Sequence, residues 1–293
     1  MTFTLIKGTF HLRGIDKNGN YYGYEPDGDS MRFKPQNPGL LDNLAQTGWR
    51  YRLNGCGHIQ LRFEGIDALE THAEGSHQPH AESARDYLLN YVGFKNVVYS
   101  ASGRRVKSVE NDGRPGYILS KQLGPYGRPI AFVYSGKPEE KDGTNLWLKP
   151  ERVKQSINAE LLRVGQAYPL YYSTLYYDLR DALTGIVKNA RARNKGIWKY
   201  DKTTKGFPVP ELQVLEEKYV ILPKLFRRIA RFFKEGNTKI TEFLNWLEAS
   251  DKNDELIVIP KGQYVKFDYI LNVSRNNRVK LKENPEDIVF NPK

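Results

Sequence analysis

Three segments of this 293-residue chain carry the side chains that could do chemistry. They are Asp27-Gly28-Asp29, the run Leu61-Arg62-Phe63-Glu64-Gly65-Ile66-Asp67-Ala68-Leu69-Glu70, and Tyr126-Gly127-Arg128. Carboxylate and carbonyl oxygens are the ligands that a hard divalent cation prefers. A carboxylate held near water can also take its proton. Guanidinium forks bind phosphate oxygens in a planar, bidentate way that lysine does not reproduce. Together these parts are the mix that hydrolysis of a phosphodiester requires. Each segment alone has a plainer reading. Asp27-Gly28-Asp29 is also a common turn, Arg62 an ordinary strand residue with an ion pair, and Asp67 with Glu70 a helix-start signature. Their occurrence in one chain, in this order, carries the argument.

The elements around these segments form a strand-rich first half. Residues 8–13, 21–25 and 30–34 read as strands, with Asn18-Gly19 and Asp27-Gly28 as hairpin turns. A polar connection rich in Pro, Asn and Gly runs from Pro35 to about Gly57. In Ile59-Gln60-Leu61-Arg62-Phe63 the alternation buries Ile59, Leu61 and Phe63 and turns Arg62 to the opposite face. Further strands are expected at 96–100, 116–120 and 129–134, and helices at 81–90, 157–164 and 174–194. The fold class is therefore α+β: a five-stranded barrel like the oligonucleotide-binding fold, with about three helices. After Gly196-Ile197-Trp198 the composition changes, and 202–210 reads as a linker. Residues 1–205 are expected to form the catalytic domain, and 206–293 a small C-terminal α+β appendage.

Composition sets the outer bounds. The net charge of +11 favours polyanionic partners. Cys56 is the only cysteine, which excludes an intrachain disulfide and a cysteine-rich zinc site. No stretch approaches the roughly 20 apolar residues that span a bilayer, so no membrane partner is expected. The first residues lack a basic region followed by an apolar one, which points to a cytoplasmic location.

The order and spacing of the three segments resemble the staphylococcal (micrococcal) nuclease family over roughly residues 20–200. The resemblance implies that Asp29 and Asp67 are calcium ligands, with the backbone carbonyl of Ala68 as a third oxygen. It makes Glu70 the general base, Arg62 and Arg128 the phosphate-binding arginines, and Tyr126 the ring beside the nucleotide. Tyr171 and Tyr172, in Tyr168-Pro169-Leu170-Tyr171-Tyr172, fall where the family places tyrosines that touch the nucleotide, and capping the barrel core is the alternative. The implied cofactor is Ca2+ and the implied products are 3′-phosphate and 5′-hydroxyl ends. The chain departs from the family in three places: Leu69 stands where a proline is usual, the segment between Ser30 and Arg62 is longer, and Gly124-Pro125 replaces an acidic residue.

The expected function is thus a calcium-dependent endonuclease acting on DNA and RNA with little sequence specificity, single strands first and duplex DNA as well. No obligatory protein partner is evident. Two alternatives stay open: a non-catalytic nucleic-acid-binding module on the same fold, and a nuclease held in check by its C-terminal extension. His72, His77 and His80 are read as a polar loop rather than a transition-metal site. The amphipathic helix at 224–235 is read as a solvated basic face over a local core, with a nucleic-acid grip as the next reading.

Overall fold

Apolar runs ending in glycine-marked turns give the first half of the chain its strands, and these pair into one curled sheet. In the computed structural model, which describes residues 2–73 and 75–292, the path through that sheet is Ile59–Gln60, Arg32–Pro35, Phe3–His11, Arg114–Leu123, Pro129–Ser135 and Arg62–Phe63. Asn145–Leu146 and Ala45–Gln46 add to it off this path. The two ends of the path are separated in the chain only by Leu61, so the sheet is a nearly closed barrel. Leu5, Phe10, Phe33, Leu61, Ile118 and Phe132 are fully buried in this part of the chain. The alternation expected for 59–63 holds: Ile59, Leu61 and Phe63 are buried while Gln60 and Arg62 are partly exposed.

The sheet differs from expectation in its count, with eight strands among the described residues rather than five. The additions are pieces of two residues, too short to show a period in sequence. The three expected helices are present as Ala81–Val92, Ile157–Val164 and Tyr177–Ala192.

The chain folds as two compact units. One comprises Met1–Glu64 with Arg85–Glu160, the other Gly65–Ala84 with Leu161–Lys293. The second contains the α+β elements of the C-terminal region, but these are woven into earlier strands. Ile66–Ala68 pairs antiparallel with Ala167–Pro169. Tyr171–Tyr172 pairs in parallel with Ile288–Phe290, which pairs in turn with Glu255–Val258. Within the stretch read as a linker, Phe207–Pro208 is a strand against Arg278–Leu281. The structural division therefore follows a different line from a boundary at 205. Helix Pro223–Lys234 buries Leu225, Phe226, Ile229, Ala230 and Phe232 on one stripe. No helix among the described residues is long and apolar enough to cross a membrane.

Candidate active site

In the first unit, backbone pairing brings Arg32, Arg62, Arg128 and Asp29 into one neighbourhood. The amide of Phe63 donates to the carbonyl of Asp29 (3.2 Å). Arg32 is paired with Gln60, and Arg62 with Ile130. Arg128 closes the turn that leads into the strand of Ile130, its carbonyl accepting from the amide of Gly124 (2.7 Å). Burial pulls the Arg128 guanidinium below its ordinary pKa, and the neighbouring charges of Arg62 and Arg32 act in the same direction, while Asp29 opposes them. Guanidiniums brought together in this way suit a phosphate.

Asn158 fixes this arrangement from below. Its amide, fully buried, donates to the carbonyls of Glu64 (2.9 Å) and Ala131 (3.0 Å) and accepts from the amide of Val133 (2.9 Å). The strand carrying Arg62 and the strand following Arg128 are thereby cross-tied by one side chain. No local motif marks Asn158 in the sequence.

In the second unit the decisive residue was not foreseen. Gly65 sits at φ +76°, and a Cβ there would lie 2.8 Å from Leu183, so only glycine makes this bend without strain. The following strand places Asp67 opposite Tyr168. Arg227, on helix Pro223–Lys234, then clasps both candidate carboxylates. Its Nη1 and Nη2 donate to Oδ1 (3.1 Å) and Oδ2 (2.9 Å) of Asp67, and Nη1 also contacts Oε1 of Glu70. Asp67 is only 3% exposed. Burial pulls the Arg227 pKa down, but the charges and hydrogen bonds of Asp67 and Glu70 more than reverse this and hold it well above its ordinary value. The guanidinium is a permanent cation here.

The clasp is held on both sides. The amide of Glu70 donates to Oε1 of Gln78 (3.1 Å), the amide of Gln78 donates to the carbonyl of Glu70 (2.9 Å), and Nε2 of Gln78 donates to the carbonyl of Ile221 (2.8 Å). The Glu70 loop is thus tied to the approach of the helix. On the helix itself, Lys224 (3.2 Å) and Arg228 (2.6 Å) both pair with Asp254. Burial raises the Asp254 pKa, but the two cations outweigh it and bring it below the ordinary value. The basic face read as solvated is therefore largely engaged: Lys224 and Arg228 at Asp254, Arg227 at Asp67 and Glu70.

The donor types assigned to calcium suit it, since Asp29, Asp67 and the Ala68 carbonyl all offer oxygen. The charge, however, is already supplied, so a metal would have to take the place of Arg227 rather than join it. Among the described residues, no group of three or more His, Cys, Asp or Glu side chains is arranged to hold a metal.

The candidate residues thus fall into two sets, Asp29, Arg62, Tyr126 and Arg128 in one unit and Asp67, Ala68 and Glu70 in the other. Tyr126 is 68% exposed, as a ring that meets a nucleotide must be. The expectation for Tyr171 is corrected: the ring is fully buried and its hydroxyl accepts from Thr184 (3.3 Å), so it has no face for a base. Tyr172 is half-buried against Phe290 (6.2 Å between ring centroids), with Lys224 bonded to its hydroxyl (3.4 Å). It too is committed to packing. In the histidine loop, His80 stacks on Tyr200 at 4.6 Å.

Residues 60–200 fit the family described as staphylococcal nuclease homologue. The matched segment contains Arg62, Asp67, Glu70 and Arg128, and excludes Asp29 and Arg227. No curated protein matches the chain.

Proposed function

We propose, starting from the staphylococcal nuclease homologue domain that this chain carries at residues 60–200, that the protein is a calcium-dependent endonuclease. It cuts DNA and RNA with little sequence preference and leaves 3′-phosphate and 5′-hydroxyl ends. The observation that carries this reading is the backbone pairing that brings Arg32, Arg62 and Arg128 into the neighbourhood of Asp29. Arg62 and Arg128 bind the non-bridging oxygens and stabilise the extra charge of the transition state. Glu70 takes the proton of the attacking water. Asp29, Asp67 and the Ala68 carbonyl are the residues assigned to the calcium ion. When bound, that ion polarises the phosphodiester and offsets its charge. Residues 1–205 supply these groups.

A second feature refines the reading. Arg227 occupies Asp67 and Glu70 together, and a general base paired with a guanidinium is a poor proton acceptor. The form described is a resting one, in which residues 206–293 hold the base closed until Arg227 withdraws. The same contact supports the binding-module alternative if Arg227 never leaves.

The test is cleavage of a labelled single-stranded DNA by the full chain, with calcium and with chelator. Wild type, Glu70→Gln and Arg227→Ala are compared. The proposal expects calcium-dependent cutting that falls at least about 100-fold in Glu70→Gln and rises in Arg227→Ala. Binding without cutting in all three proteins transfers the assignment to the binding module. Point substitution is the right instrument, because truncation at 205 would remove the strand that pairs with Tyr171–Tyr172.

A further inference from the structure

The polar connection between Pro35 and Gly57 is fastened, in the first unit, to the turn that carries Arg128. Ala45–Gln46 pairs in parallel with Gln122–Leu123. Thr47 Oγ1 donates to the carbonyl of Leu123 (2.6 Å), and the amide of Trp49 donates to the carbonyl of Pro125 (2.9 Å). Two glycines permit the approach. A Cβ at Gly48 would lie 2.4 Å from the Pro125 carbonyl oxygen, and one at Gly127, at φ +72°, would lie 2.6 Å from that of Arg50. The result is an aromatic pair: the rings of Trp49 and Tyr126 meet edge to face at 5.8 Å.

Both rings remain in solvent, Trp49 at 69% and Tyr126 at 68% exposure. A loop so closely fitted to its neighbour could have turned its tryptophan inward. Instead it holds a large apolar ring outward, against Tyr126, which lies two residues before Arg128 in the chain. We infer that Trp49 is a base-stacking residue, forming with Tyr126 a subsite for one nucleobase of a single-stranded nucleic acid beside the phosphate-binding arginines. The inference rests on the nucleic-acid reading given above.

Three arguments select that occupant. The guanidiniums of Arg32 and Arg62 act on that of Arg128, and three such groups in one neighbourhood suit a polyanion. A ring face accepts any base, which matches low sequence preference. The perpendicular setting of the rings, 89° between planes, provides one stacking face braced by the other ring rather than a staircase for successive bases. A base paired within a duplex has its faces covered by its neighbours, so the subsite favours unpaired strands.

The experiment is a binding titration by fluorescence anisotropy in chelator, where cutting is suppressed. The full chain is compared with Trp49→Ala, Trp49→Phe and Tyr126→Ala, using a short oligothymidylate and the same backbone with abasic sites. Trp49→Ala should weaken oligothymidylate binding by about 5- to 100-fold. Trp49→Phe should retain most of the affinity, and the abasic strand should bind all four proteins alike. If wild type binds neither strand, the nucleic-acid reading itself fails. If wild type binds and Trp49→Ala binds equally well, Trp49 is no stacking residue. Equal weakening for normal and abasic strands would also overturn the inference, since the ring would then act only by holding the loop.

Discussion

Replacing Arg227 with alanine should make the stability of this protein depend on calcium. In the native chain the guanidinium makes two hydrogen bonds to Asp67, at 3.1 and 2.9 Å, and a further contact to Glu70. Its removal leaves two carboxylates close together, with side-chain exposures of 5% and 13%. Breaking a buried pair by deleting one partner costs about 3–5 kcal/mol. For units of this size each kcal/mol moves Tm by roughly 2–4 °C, so the variant should melt on the order of 10 °C below wild type in chelator. A cation that binds the vacated carboxylates restores about 2.7 kcal/mol at a concentration 100 times its Kd. Scanning calorimetry with increasing calcium reads this directly. Wild type should respond weakly, because Arg227 already supplies the charge, and the variant should recover most of its loss. Were Arg227→Ala to melt with wild type in chelator, the clasp would not be formed in solution. If it melts lower but calcium does not raise it, Asp67 and Glu70 are no cation seat.

Two further outcomes concern the first unit. Asn158→Ala leaves the Glu64 and Ala131 carbonyls and the Val133 amide without their side-chain partner. The Ala131 carbonyl keeps the Glu64 amide as a donor (2.9 Å), so at about 1–3 kcal/mol for each of the other two buried groups left unsatisfied the total should be on the order of 2–6 kcal/mol, measured by urea unfolding. The second concerns pH: burial, then the charges of His11 and Lys34, bring the His58 pKa down from 6.5 to about 4. The ring stacks on His11 at 4.2 Å and bonds the Tyr24 hydroxyl at 2.8 Å. Between those two pH values the unfolded chain binds a proton that the folded chain refuses, so stability falls as pH drops from about 6.5 to 4, by up to about 3 kcal/mol. His58→Gln should flatten that part of the stability profile, and an unchanged slope would assign the effect elsewhere.

The parts of the site that were legible from sequence are local. Arg62 lies in a five-residue alternation whose parity settles its face, and Asp67 and Glu70 lie within eight positions of it. Arg227 was hidden for the opposite reason. It stands 160 residues from Asp67, and its neighbours Lys224, Arg228 and Arg231 are also basic, so amphipathic pattern alone gave no sign of which cation meets which carboxylate. Tyr171 misled because an aromatic run reads alike whether it faces a ligand or a core. Its burial depends on Ile288–Phe290, a three-residue strand at the far end of the chain that no periodicity marks. The Trp49 loop read as an irregular connection, since its fastening depends on close backbone approach at two glycines rather than on any side-chain pattern.

The weaving of late strands into early ones also has a consequence for how the protein is born. Asp67 and Glu70 leave the ribosome well before Arg227, and the strand Ile288–Phe290 that completes their unit comes later still. At ~5–20 residues per second, the 160 positions from Asp67 to Arg227 take roughly 8–32 s to synthesise. Through that interval Asp67 and Glu70 belong to an unfinished unit, beside the messenger being read. By the time the last strand can dock, the guanidinium that clasps both carboxylates is already present. On the nuclease reading proposed above, a nascent chain built in this order passes through no stage at which a finished, unguarded phosphodiesterase faces its own template.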